Sequence, residues 1–308
     1  MPSPGFTGRN ARRVDVATRK SGGSLPAIHA RILLVGAGRV GTAVAELLRR
    51  RGHSVVGVVS RSPVSRERAT RLVGGPGLEL GDRLPDFDVC LLGVADAALS
   101  EVVPGLVPDA RQGRIFCHFS GSQGIAPLSG LLEAGSEGCA MHPVQAVPSI
   151  DAGLTHLAGS SWGVTGSSEA VAWARRLIHE DLGGNLVEVA EADRAVWHAA
   201  SVTTSNGIAA LMALGERILS RIGYEDPEAI LGPLAAGTVS NAREGGGGAA
   251  TLTGPVVRGE RETIERHLSA LLELDRDLAG AYISVATSIL GEARISERIG
   301  EEQAALLD

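Results

Sequence analysis

Lysine is nearly missing from this chain of 308 residues: of its 29 basic residues one is lysine, Lys20, and it lies in the N-terminal stretch. A mechanism that needs a lysine in the folded body is therefore excluded. Cysteine is scarce as well. Cys90, Cys117 and Cys139 each stand inside an apolar run, with neither metal-ligand spacing nor a CxxC partner, so they read as buried thiols in a reducing cytoplasm rather than a metal site. No apolar run is long enough to cross a bilayer. Residues 1–29 hold Pro, Gly, Ser and several Arg but no apolar signal core, which predicts a disordered tail. A net charge of -6 and the lack of a basic stripe argue against a nucleic-acid partner. Internal repeats are also lacking. What remains, 44% hydrophobic and 21% charged, suits a soluble cytoplasmic protein with room for two domains.

Buried-strand signals stand at Arg31–Gly36, Ser54–Val59, Asp88–Val94, Ile115–Phe119, Cys139–Met141, Trp162–Val164 and Leu186–Val189. Helical spacing lies between several of them, at Val40–Arg51, Pro63–Val73 and Glu169–Leu182. Alternating strands and helices predict an α/β, doubly wound, mostly parallel sheet over residues 30–190. Strand signals then cease. Helices are expected from Glu191 to Ile222, Asp226 to Arg243, Glu260 to Glu273 and about Asp275 to Glu297, with a flexible break at Gly245–Gly248. An all-α domain over 191–308 follows. Ile208, Leu211, Met212, Ile218 and Leu219 share one stripe, more apolar surface than a small domain buries alone, so a homodimer through this domain is expected.

The first strand runs into Gly36-Ala37-Gly38-Arg39-Val40-Gly41, a GxGxxG turn that opens a helix. That context marks a dinucleotide bed. Gly36 makes the tight turn, Gly38 admits a pyrophosphate, and Gly41 lets the helix pack close, with free N–H groups from Arg39 and Val40 onward. The second strand ends at Ser60-Arg61-Ser62, without the carboxylate that would take both ribose hydroxyls of NAD. Two hydroxyls and a guanidinium suit a 2′-phosphate, so the cofactor read from these residues is NADP(H). Val94 and Asp96 close the third clear strand at the expected crevice, and Asp96 could touch the nicotinamide ribose or cap the next helix.

Three histidines stand near strand ends or the domain boundary. His118, in HFSG, is inside an apolar run and reads as structural, and Ser120 of the same motif is expected to touch the cofactor. His142 precedes Pro143 and is held extended. His198 begins a helix on which Ser201, Ser205 and Asn206 lie nearby, a polar stripe among small residues. Arg258, after the rigid Thr253-Gly254-Pro255 turn, could hold a substrate carboxylate, or pair with Glu260 or Glu262.

Taken together, GAGRVG, the HFSG at His118–Gly121, MHPVQ at Met141–Gln145, WHAASVTTSN at Trp197–Asn206 and LTGPVVRGE at Leu252–Glu260 resemble the Rossmann-like proteins with a DUF2520 C-terminal domain, over residues 30 to 300. That resemblance places the chain in the wider 6-phosphogluconate dehydrogenase-like superfamily, whose members are commonly dimers. It implies an NADPH-dependent oxidoreductase acting on a CH–OH group. Some such proteins are an alternative kind of ketopantoate reductase of pantothenate biosynthesis. Pyrroline-5-carboxylate reductase-like and prephenate dehydrogenase-like activities are alternatives, as is an NADP(H) sensor without turnover. Prephenate dehydrogenases carry a glycine where this chain has Ala146, which weakens that alternative. β-Hydroxyacid dehydrogenases and the common ketopantoate reductases use a catalytic lysine that this chain lacks after Lys20. Another acid must then protonate the product, and histidine suits the task. The expected roles are proton donation by His198, with His142 in reserve, carbonyl placement by Asn206 and a carboxylate grip by Arg258. No metal site is expected, and the partner is a small anionic substrate.

Overall fold

The computed structural model describes residues 29–307; the tail expected over 1–29 lies, apart from His29, outside them. Contacts divide the chain into two units, the first ending at Val202 and the second beginning at Thr203.

The first unit is built on eight strands: β1 (Arg31–Val35), β2 (Ser54–Val59), β3 (Gly77–Leu78), β4 (Val89–Leu92), β5 (Ile115–His118), β6 (Glu137–Pro143), β7 (Ser161–Gly166) and β8 (Asn185–Glu188). They form one sheet in the order β3-β2-β1-β4-β5-β6-β7-β8. Every junction is parallel except β6–β7, which is antiparallel. The order reverses between β1 and β4, where a parallel sheet opens a crevice at its carboxyl ends.

The strands are continuous apolar runs because both faces are covered. In β1, Ile32 and Leu34 pack with Ala43, Val44 and Leu48 of helix α1 (Arg39–Arg50), while Leu33 and Val35 join Leu99, Val102 and Leu106 on the other face. Burial of each such leucine or isoleucine contributes about 1.5–3 kcal/mol. Helix α2 (Pro63–Val73) follows β2. Helices α3 (Leu99–Val102) and α4 (Ser129–Glu133), α5 (Ile150–His156) and α6 (Ser168–Arg176) complete the cover. The sequence does not announce β3, α3, α4 or α5, which are too short for a periodic signal. The helix expected to Leu182 ends as α at Arg176 and continues as a π-helical turn, Leu177–Asp181. The strand expected at Cys139–Met141 runs on to Pro143, so His142 sits within it.

Helix α7 (Arg194–Arg221) starts in the first unit. The second unit continues with α8 (Pro227–Glu244), α9 (Gly248–Thr251), α10 (Arg261–Leu274), α11 (Arg276–Ile295) and α12 (Glu301–Ala305). The glycine run is a hydrogen-bonded turn rather than a bare break: Gly247 N–H donates to Ala242 O at 2.9 Å, and α9 starts at Gly248. His267 bonds Tyr282 through Nδ1 at 2.9 Å, a structural contact. Val256, Leu290, Ala293 and Ile299 form a small core here, whereas α8 has no buried residue. Among the described residues, no helix is long and apolar enough to cross a membrane.

Candidate functional site

The Gly36 turn fits against the end of β4. Gly36 has φ +89°, and a Cβ there would meet Val94 Cγ1 at 2.4 Å. A Cβ on Gly38 would stand 2.3 Å from Gly93 O, and one on Gly41 2.7 Å from Gly93 Cα. The three glycines therefore share one reason, close approach to Gly93 and Val94. Gly38 differs from expectation in one respect: its N–H donates to Gly93 O at 3.2 Å, so it braces the loop. The N–H groups of Arg39, Val40 and Gly41, in the first turn of α1, lack intrahelical partners and remain for an anion. The Val40 side chain packs on the core, and Arg39 Nη1 donates to Pro148 O at 2.9 Å.

Beside this turn lies a cavity of about 300 Å³, lined by Gly36–Gly38, Val59–Ser62, Ser65, Leu80 and Gly93–Ala95. Arg61 is exposed in its wall, 3.7 Å from Glu101. Ser62 caps α2, its Oγ accepting from Ser65 N–H at 3.3 Å. The hydroxyl hydrogen stays free to donate, and the helix N-terminus adds a favourable field for an anion. Sequence reasoning missed Ser65, Leu80 and two further arginines: Arg66, which donates to Ser60 O at 2.8 Å, and Arg68, which donates to Ala37 O at 3.1 Å. Their spacing after Arg61 on a helix was the available signal. The lining holds one cation, Arg61, with hydroxyls and backbone N–H groups. A carboxylate that would claim ribose hydroxyls is missing from it, and a 2′-phosphorylated dinucleotide fits this set.

The next strand ends in the sheet, those of β4, β5 and β6, carry a polar cluster. Asp96 does not cap the following 3-10 turn, whose cap is Ala95. Its carboxylate instead accepts from Ser120 Oγ and, at 3.4 Å, from Ser122 Oγ. Ser120 is 4% exposed and every polar group on it is engaged. Its N–H donates to His118 Nδ1, its Oγ also accepts from Gln123 N–H, and its carbonyl accepts from Arg194. Ser120, expected at the cofactor, thus has its hydroxyl engaged by Asp96 and by the Gln123 N–H. His118 is fully buried, with Nε2 donating to Gly124 O at 2.7 Å, and burial holds its pKa below the ordinary value. It is structural, as its apolar surroundings suggested.

His142 and His198 meet edge to face, with ring centroids 5.2 Å apart. His142 pairs with Gly163 across the β6–β7 junction. The Trp197 indole lies on that glycine, where a Cβ would come within 2.6 Å of it, and donates from Nε1 to His142 Nδ1 at 3.3 Å. The proton of neutral His142 is thereby placed on Nε2. Burial, then the neighbouring His198 and then Arg194, lower the His142 pKa to about 4. His142 is thus uncharged near neutrality, a hydrogen-bond donor rather than the reserve acid expected for it. His198 Nδ1 is buried without a hydrogen-bond partner among the described residues and rests on Gly121, where a Cβ would stand 2.1 Å away.

The first turns of α7 present Glu191, just ahead of the helix, Arg194, Trp197 and His198 to the strand ends. Glu191 accepts from Ile125 N–H at 3.0 Å, and Arg194 binds two carbonyls. This differs from the polar stripe expected. Ser201 bonds back to Trp197 O, and Ser205 and Asn206 are exposed. In the second unit, Arg258 takes up the alternative pairing: its Nε donates to Glu260 Oε1 at 2.5 Å and Nη2 to Oε2 at 3.3 Å. The structure therefore brings His142, His198, Ser120 and Asp96 together. Asn206 and Arg258 belong to the second unit.

Several known proteins share this architecture. No curated protein matches the chain. Among solved structures, a Bacteroides fragilis protein assigned as an NADP oxidoreductase is 23% identical, with a TM-score of 0.73 over 85% of this chain and 98% of its own. An imine reductase from Myxococcus stipitatus in complex with NADP+ is 17% identical, with a TM-score of 0.60 over 85% and 94%. A 1-pyrroline-5-carboxylate reductase from Streptococcus pyogenes is also 17% identical, with a TM-score of 0.55 over 88% and 99%. At these identities the likeness is one of fold. Residues 18–143 match the model of the Rossmann-like domain, and residues 160–289 that of the domain of unknown function DUF2520. Along the chain, a match to the Rossmann-like domain is thus followed by a match to the DUF2520 domain.

Proposed function

We propose that this protein is an NADPH-dependent reductase of a small carboxylated carbonyl compound or imine. The observation that carries the reading is the cavity beside the Gly36 turn, walled by Arg61, Ser60, Ser62 and Ser65 and lacking a carboxylate. It lies at the ends of β1 and β2, and the imidazole pair stands beyond β5, at β6, along the same edge of the sheet. A dinucleotide that starts on the α2 side and crosses the Gly36 turn runs toward that pair. The fold likeness to proteins named as NADP-binding reductases supports the same direction.

When bound, NADPH supplies the hydride. The N–H groups at the start of α1 hold the pyrophosphate, and Arg61 with Ser60, Ser62 and Ser65 holds the 2′-phosphate. His142, neutral with its proton on Nε2, donates a hydrogen bond to the carbonyl oxygen or imine nitrogen. His198 delivers the proton as charge develops there. In the second unit, Asn206 and Arg258 are the polar groups read as serving a small anionic substrate, and Arg258 can take a carboxylate in exchange for Glu260. A bidentate carboxylate is a good substitute for that exposed pairing, because surface ion pairs are worth little.

The chain is proposed to act as a homodimer. Helix α8 has no buried residue, and its Ile230, Leu234 and Val239 are exposed, as is Leu211 of α7. Such a surface calls for a cover.

The experiment is NADPH oxidation measured across 2-oxo acids, 2-dehydropantoate first, and cyclic imines including pyrroline-5-carboxylate, beside dissociation constants for NADPH and NADH. Turnover of one class identifies the substrate type. Tight NADPH binding with no turnover across the panel would replace the reductase with a sensor.

A further inference from the structure

Arg194, the first residue of α7, is 1% exposed. Its Nη1 donates to Gly163 O at 3.0 Å, its Nη2 to Ser120 O, and its Nε is buried without a hydrogen-bond partner among the described residues. No carboxylate is bonded to it among the described residues; Glu191 and Asp96 act on it through space. Guanidinium stays charged in proteins. A buried charge held only by carbonyl dipoles is costly to keep.

We propose that Arg194 is a positioning residue for the reduction: it clamps the start of α7 onto β7 and the loop that follows β5, and sets a buried positive charge beside the imidazole pair. The inference rests on the reductase reading for its kinetic consequence, and on geometry alone for the rest. Arg194, Trp197 and His198 lie at i, i+3 and i+4, hence on one face of the helix. The two carbonyls that Arg194 binds belong to the residues beside that contact surface. Gly163 carries the Trp197 indole, and Ser120 precedes Gly121, which carries the His198 ring. Two hydrogen bonds and two side-chain-free surfaces thus set where both aromatic side chains stand.

The charge has a second effect. The groups that act on His142 are Arg194 and His198 from α7, both disfavouring its protonation, and Asp96 from the loop after β4, favouring it, while Trp197 occupies Nδ1. Burial is the largest contributor, and Arg194 reinforces it in the same direction. A neutral substitute at 194 therefore lets His142 protonate at a higher pH. A clamp without this electrostatic part would leave that midpoint where it is.

The test follows the imidazole signals of the full chain by NMR, with His142 assigned by the resonance lost in His142→Gln. In the unaltered protein His142 should stay neutral down to about pH 5. A midpoint near the ordinary histidine value overturns the proposal whether or not the protein turns over any substrate. In Arg194→Met the midpoint should rise by about a few tenths of a pH unit, and kcat should fall by about ten- to a hundredfold with NADPH affinity within about threefold. In Arg194→Lys, which keeps the charge but not the two-pronged grip, the midpoint should stay low while kcat falls. A folded Arg194→Met with unchanged midpoint and unchanged kcat refutes the proposal. If that variant does not fold, a His142 midpoint in Arg194→Lys that climbs to the ordinary histidine value refutes it equally. If no substrate is ever turned over, the reductase reading fails, but the two midpoints still decide the electrostatic role of Arg194.

Discussion

Gly121→Ala isolates the imidazole pair from the cofactor bed. The backbone of Gly121 is outside the left-handed region, so alanine brings no conformational strain of its own. The added Cβ, however, would stand 2.1 Å from His198 Nδ1 and 2.7 Å from its Cγ and Cε1. Ordinary contact begins at 3.4 Å, so the ring must retreat by about 1.3 Å, which disturbs its edge-to-face contact with His142. A misplacement of about 1 Å costs roughly a hundredfold in rate, or about 2.7 kcal/mol at the barrier. Overpacking of this kind destabilises by about 1–3 kcal/mol. The expected result is kcat down about a hundredfold, with the NADPH dissociation constant within about threefold, since the Gly36 turn and the Arg61 wall are untouched. Steady-state NADPH oxidation and fluorescence titration of the cofactor measure the two quantities. Gly105→Ala is the control, because nothing lies within 4 Å of its added Cβ. A folded Gly121→Ala with unchanged kcat would remove the imidazole pair from the mechanism.

Arg61→Ala should narrow the preference for NADPH over NADH by about ten- to a hundredfold, the worth of a charged hydrogen bond; equal constants for both cofactors in the unaltered protein defeat the 2′-phosphate reading. Glu101→Gln, 3.7 Å from Arg61, should tighten NADPH by about twofold at low salt and leave NADH unchanged. His198→Ala should lower turnover by about two to four orders of magnitude without weakening NADPH, while Arg258→Ala should chiefly raise KM for a carboxylated substrate. Acid stability tests His142: its folded pKa, about 4, lies below its unfolded value, so the unfolded chain binds the proton first. The stabilisation is complete above the unfolded pKa and is lost as pH falls through 4, at most about 3 kcal/mol, with His118 acting in the same direction. His142→Gln should flatten part of that slope in thermal melts, and an unchanged slope contradicts the burial argument. Light scattering should give twice the 31.7 kDa of the chain, and Leu234→Asp should shift it toward the monomer.

Much of this was legible because it is local. An apolar run followed by GxGxxG and a helix needs no distant partner to be recognised: Ile32–Val35 are buried on both faces, and the three glycines lie where one strand end meets the next. The change from strand to helix after Val189 is likewise a change of period along the chain. The missing carboxylate after β2, and the missing lysine, are absences that composition alone reveals. Arg194 had no such signal. In the sequence it is one arginine among many, and a guanidinium at the start of a helix is ordinarily solvated. It becomes a buried clamp only because Ser120 and Gly163, 74 and 31 residues away, bring their carbonyls to it.

The amino-acid order by itself determined most of the strands, the glycine turn and the list of histidines, since each is written in spacing, side-chain type or backbone freedom within one short segment. Tertiary structure alone decided what those histidines are. His118 is a satisfied core residue because Gly124 O and Ser120 N–H reach its two nitrogens. His142 is a neutral donor because β7 runs antiparallel to β6 and sets Gly163, and so Trp197, beside it. Protonation and orientation depend on burial and on partners that the chain supplies from afar, and no local pattern encodes either.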